Sequence, residues 1–137
     1  MMTRHFRFVR NAVFALIPAM ALPVPAFADL CHGPDIKVVN DKSIAMEVRQ
    51  IAYLDGCQGI WRTEDVPNTE ILPNGGFHIF HDDLEYVEGC AIPQFKLYRR
   101  VFGSTGWTSV IWGNPLTPAE GQTVKCVSGA NYTLHNP

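Results

Sequence analysis

The run His78-Ile79-Phe80-His81-Asp82-Asp83 concentrates the side chains best suited to metal ligation, since imidazole and carboxylate are donors that copper and zinc accept. Its spacing argues against one shared ion. Along a strand, residues three apart point to opposite faces, so His78 and His81 part company and only His81 and Asp83 share a side. A third ligand would have to come from His32 or His135, near the ends of the chain. His78, His81 and Asp83 are the metal-ligand candidates, but the expectation is a solvated strand end, with no metal and no other cofactor. Asp82, Asp83, Glu85 and Glu88 add hard oxygen donors of the kind calcium takes. The alternating Asp/Asn positions and closing glutamate of a calcium loop are missing, so this group reads as a solvated acidic face. Lys96, Arg99 and Arg100 on a neighbouring strand are its expected partners, in exposed pairs of small energetic value.

For nucleophilic chemistry the chain offers Ser43, Ser104, Ser109 and Ser128, none of them in a Gly-x-Ser-x-Gly elbow. A small hydrolase is therefore the least favoured functional class. Trp61, Trp107, Trp112 and Tyr98 are the binding candidates, because large amphipathic rings anchor protein partners and stack on sugars. The same rings suit a small core. If Trp107 and Trp112 lie on one regular strand, their separation of five puts them on opposite faces, one in the core and the other exposed. The reading is a binding module for a protein partner, of inhibitor or envelope-assembly type, with a carbohydrate- or metal-binding module as the alternative.

Cys31, Cys57, Cys90 and Cys126 are an even set with no Cys-x-x-Cys pair, which disfavours redox and zinc motifs and suggests a disulfide framework. Cys57 and Cys90 each follow a glycine at the end of an apolar segment, in Leu54-Asp55-Gly56-Cys57 and Val87-Glu88-Gly89-Cys90. Two loops could meet there. The expected bridges are Cys57 with Cys90, and Cys31 with Cys126 tying the two ends together.

Short segments rich in branched and aromatic residues, punctuated by turn residues every eight to twelve positions, predict seven or eight antiparallel strands in a β-sandwich or small barrel. Strands are expected at 35–40, 60–62, 77–81, 84–87, 123–126 and 132–134. A Pro67-bearing loop should follow the second of these, and a Pro73-Asn74-Gly75-Gly76 turn should precede the third. The clearest hairpin joins 95–102 to 107–112 through Gly103-Ser104-Thr105-Gly106, with Phe95 and Leu97 alternating against Lys96 and Tyr98. The ambiguous piece is 43–54. As a helix it would use Ile44, Val48, Ile51 and Ala52 on one face, capped by Ser43, giving an α+β alternative. As a strand, the favoured reading, it needs a bulge near Arg49 and Gln50.

These elements follow an amino-terminal export signal. Arg4, Arg7 and Arg10 give a basic start, Ala12 to Leu22 an apolar run too short to span a bilayer, and Ala26-Phe27-Ala28 the cleavage pattern. Residues 1–28 are thus the expected signal peptide, and 29–137 one domain that is periplasmic or secreted. The 137-residue chain has a net charge of −2. Without the signal, eight basic residues face thirteen acidic ones, and a net charge of −5 disfavours nucleic acid as a partner. Asn131-Tyr132-Thr133 matches the glycosylation pattern, a short motif of low specificity.

Overall fold

The computed structural model describes residues 30–137, and the expected signal peptide and its cleavage point before Asp29 lie outside them. Eight strands form two packed sheets, with no helix among the described residues. The three-stranded sheet has the order β4 (Gly76–His81), β1 (Asp35–Asn40), β8 (Asn131–Asn136). The other runs β3 (Ile60–Ile71), β2 (Met46–Asp55), β5 (Phe95–Gly103), β6 (Gly106–Trp107), and β7 (Ile111–Trp112) also pairs with β5. Every pairing is antiparallel except β1 with β8, which lie parallel. The expected all-β sandwich is therefore correct, with that one parallel contact added.

Alternation of side chains builds the core. Ile36, Val38, Phe80, Tyr132 and Leu134 face inward from the small sheet, against Met46, Val48, Ile51, Tyr53, Phe95 and Leu97 from the large one. Phe95 and Tyr132 meet with ring centroids 5.1 Å apart. Full burial of each such side chain is worth about 1.5–3 kcal/mol. The 43–54 ambiguity resolves as strand, because a bulge between Val48 and Gln50 lets Val48 and Ile51 face inward although they are three positions apart. A helix here would have removed the central neighbour of both β3 and β5. Ile44 is not part of the strand, which begins at Met46.

Several elements differ from expectation. The strand begun at Ile60 continues to Ile71 through Pro67 instead of stopping at 62. As an edge strand β3 tolerates proline, and Val66 to Asn68 lie in a gap in its pairing with β2. Segments 84–87 and 123–126 are not strands, retaining only isolated bridges of Leu84 to Cys31 and Lys125 to Ala91. The second arm of the hairpin is broken between Trp107 and Ile111. In the 72–76 turn, Asn74 and Gly75 adopt φ of 58° and 89°. Gly76 has a different reason, since a Cβ there would strike the Leu72 carbonyl.

Two disulfides close one end of the sandwich, pairing Cys31 with Cys126 and Cys57 with Cys90 as expected, with Cα separations of 5.8 and 5.5 Å. They are neighbours, because Cys126 N–H donates to the Cys90 carbonyl at 2.8 Å. Such bridges are typical of chains that work in oxidising compartments outside the cytoplasm. The Cys57 loop hangs on Asp55, whose fully buried carboxylate accepts from Cys57 N–H (2.8 Å), Gln58 N–H (3.1 Å) and both Nε and a terminal nitrogen of Arg62 (3.0 and 2.9 Å). No described helix is long and apolar enough to cross a membrane.

Candidate binding face of the five-stranded sheet

The positions of the large sheet that do not face the core form a continuous outer surface. Cross-strand register places Thr63, Ala52 and Lys96 in one row, and Asp65, Gln50, Tyr98 and Trp112 in the next. Glu70, Glu47 and Arg100 make a third, beyond which Phe102 stands opposite Trp107. Trp61 flanks the first row, opposite Leu54. All four aromatic binding candidates, Trp61, Tyr98, Trp107 and Trp112, thus come from four different strands onto one face. Trp107 and Trp112 do not divide between core and solvent, because the break after β6 resets the alternation between them.

The rings are fixed by neighbours on that face. Tyr98 and Trp112 pack with centroids 5.0 Å apart and planes inclined by 38°, and Phe102 meets Trp107 edge-on at 5.3 Å. The Lys96 ammonium lies 4.2 Å from the Trp61 ring centre, and the Arg100 guanidinium 4.7 Å from that of Trp107. Such cation–π contacts are worth about 0.5–1 kcal/mol at exposed sites. Trp61 and Trp112 stay 38 and 41 % exposed. Between them Ala52, Thr63 and Lys96 complete a hollow of about 250 Å³. The small Ala52 side chain leaves room where any larger residue would fill the floor.

Electrostatics on this face are balanced internally. Glu47 accepts from Arg100 Nε and a terminal nitrogen at 3.1 and 3.0 Å, and from Arg49 Nε at 2.8 Å. The Arg100 hydrogen bond, helped by Arg49, holds the Glu47 carboxyl below its ordinary value against the opposing effect of burial. Arg100 therefore does not serve the acidic run at 82–88, nor does Lys96, and Arg99 bonds Asn136 instead (3.1 Å). The expected ion pairs to Asp82, Asp83, Glu85 and Glu88 are absent among the described residues, because Lys96 and Arg100 project from the outer face of the large sheet.

The remaining candidates lie elsewhere. His81 points outward beside Asp35 (2.6 Å), while His78 packs on the Phe80 ring on the opposite side of β4, at 4.7 Å between centroids. The strand separates the two imidazoles as their spacing requires. Asp83 accepts from Gly33 N–H (2.7 Å) and lies 3.5 Å from His32, and His135 contacts Asp41 (2.8 Å). Asp55, Cys57 and Cys90 bring ligand-type atoms together, but both sulfurs belong to a disulfide and offer no thiolate. On the inner side, the Tyr53 hydroxyl donates to Glu64 at 2.9 Å, and burial raises both groups above their ordinary values.

Ala52 was not singled out by its type, and Lys96 and Arg100 were expected to face the acidic run instead of the aromatics. Only their register with the aromatics, invisible before β2 was known to be a strand, assigns them. No protein-family model matches this chain, and no curated protein or solved structure shows similarity to it.

Proposed function

We propose that the protein is an exported binding module that works in the periplasm or outside the cell and docks a protein partner on the outer face of its five-stranded sheet. The convergence of Trp61, Tyr98, Trp107 and Trp112 on that face carries the reading. Trp, Tyr and Arg are the residues that dominate binding energy at protein interfaces, and here they stand together, half-exposed and rigidly held. A pyranose would stack on an open ring face, and Lys96 and Arg100 already cover one face of Trp61 and Trp107. A protein partner uses ring edges, cations and the hollow over Ala52 equally. The two disulfides and the export signal support the compartment.

The test compares cross-linked extracytoplasmic complexes of the wild type with those of a Trp61→Ala/Trp112→Ala variant. A specific protein held by the wild type should bind the variant about 30-fold or more weaker, the loss of one hot spot. The rings are outside the core, so the variant should still fold cooperatively, losing only about 1–2 kcal/mol from the Lys96–Trp61 and Tyr98–Trp112 contacts. Equal capture by both proteins, or glycan-array binding that depends on Trp61 and Trp112, would overturn the assignment.

A further inference from the structure

Arg99 is the one member of its strand's inward series, Phe95, Leu97, Arg99 and Val101, that carries a charge. It enters the seam between the sheets beneath Gly113, whose added Cβ would lie 3.5 Å from Nε. There Nε donates to Asn136 Oδ1 on β8 at 3.1 Å, and Asn136 is itself 3 % exposed and also contacts the Met46 sulfur. The two terminal nitrogens of Arg99 have no hydrogen-bond partner among the described residues. They are not sealed in, since no buried polar side-chain atom of the described residues lacks a partner. They reach solvent by way of a second cavity.

That cavity, about 130 Å³, is lined by Lys42, Arg99, Asn114, Leu116, Asn136 and Pro137. Lys42 comes from the turn between β1 and β2, Asn114 and Leu116 from the loop after β7, and Asn136 and Pro137 from the end of β8. Four chain segments therefore converge on two cations and two amides. Among the described residues no carboxylate lies within 4.0 Å of the Arg99 or Lys42 nitrogens, whereas Arg49, Arg62 and Arg100 all have such a partner. Burial alone lowers the Arg99 guanidinium from its ordinary value. Partly desolvated positive charge without a close counter-charge is unfavourable, and an anion in the cavity would relieve it.

We propose that this cavity is a binding site for a phosphate-type oxyanion. Two cations without a carboxylate within 4.0 Å among the described residues attract an oxyanion, the Arg99 fork offers two parallel N–H donors, and Asn114 adds amide donors. The volume is roughly that of four waters, enough for a compact tetrahedral group and too little for a nucleoside or a sugar ring. The same group could arrive as the free anion or at the end of a phosphomonoester. This site is on the seam between the sheets, away from the aromatic face, and does not depend on the role proposed for that face.

Isothermal titration calorimetry of the oxidised protein with inorganic phosphate, in a chloride buffer of low ionic strength, is the test. Saturable binding at one site should appear, with sulfate competing, and Arg99→Gln should abolish it. Because Arg99→Gln also removes the bond to Asn136, Lys42→Gln on the half-exposed turn gives an independent variant. It should weaken binding roughly ten- to hundredfold, the loss of one charged contact, without moving the unfolding midpoint. A parallel titration with glycerol 3-phosphate distinguishes the sources. Binding of inorganic phosphate alone assigns the free anion, and binding of both assigns an esterified group. No saturable binding, or binding unchanged in Lys42→Gln, would overturn the proposal.

Discussion

Replacing Cys31 and Cys126 together by alanine should cost more stability than the same exchange at Cys57 and Cys90. The bridge closes 95 residues and the inner one 33. In the loop-entropy treatment these closures contribute about 4.7 and 3.7 kcal/mol, a difference of about 1 kcal/mol from length alone. Packing widens the gap. Cys31 and Cys126 are both fully buried in the core, whereas Cys57 is exposed, so removing the outer pair also leaves a small apolar void. Against a typical total of about 5–15 kcal/mol, the outer bridge carries a large fraction of the stability. Urea unfolding of the oxidised proteins, followed by far-ultraviolet circular dichroism, measures both double variants. The Cys31→Ala/Cys126→Ala protein should also show a larger denaturant slope, because its unfolded chain expands further. A loss below about 1.5 kcal/mol for that pair, or a larger loss for Cys57→Ala/Cys90→Ala, would refute the reasoning.

Removing the Asp55 carboxylate with Asp55→Ala should cost about 3 kcal/mol, since it strands Arg62 and two backbone N–H groups, and equilibrium unfolding should show a smaller loss for Asp55→Asn. The pH dependence should carry two opposed carboxylates. Glu47, held low by Arg100, contributes stability above the ordinary carboxylate range that is lost as pH falls through its folded value, so Glu47→Gln should flatten the acid limb. Burial raises Glu64, so stability should drop as pH climbs from 4.5 through its folded value, a drop that Glu64→Gln removes. Buried Tyr53 and Tyr132 are raised as well, and the domain should lose stability above pH 10.0, where unfolded tyrosines ionise first. Intact-mass measurement of the exported protein should give a chain starting at Asp29, and full-length chain in the soluble cytoplasm would contradict it.

Much of the fold was legible because it rests on local signals. Period-two burial in Asp35–Asn40 and Phe95–Leu97, and the Asn74-Gly75 turn, are properties of short windows, and those elements appear where expected. The matched Gly-Cys contexts likewise gave the disulfide pairing. Segments 84–87 and 123–126 misled because apolar residues there are buried by disulfides and isolated bridges instead of by a ladder. Leu84 and Val87 need a core, and the Cys31–Cys126 bridge brings one to them.

The aromatic face was only half legible, and the reason is a property of register. Composition identified Trp61, Trp107, Trp112 and Tyr98, but whether they share a surface depends on cross-strand pairings that no short window contains. A bulge in β2 shifts the alternation of the central strand by one, and a break between β6 and β7 spares Trp107 and Trp112 the opposite faces that one regular strand would give them. Had β6 and β7 been one regular strand, Trp107 or Trp112 would have entered a core already filled by Phe95 and Tyr132. The break keeps both indoles outside. It therefore lets the inner face of the sheet be optimised for packing while the outer face carries rings that contribute little to folding. Stability and recognition are thereby divided between the two faces of the same strands, and substitutions on the outer face should change binding without changing the fold.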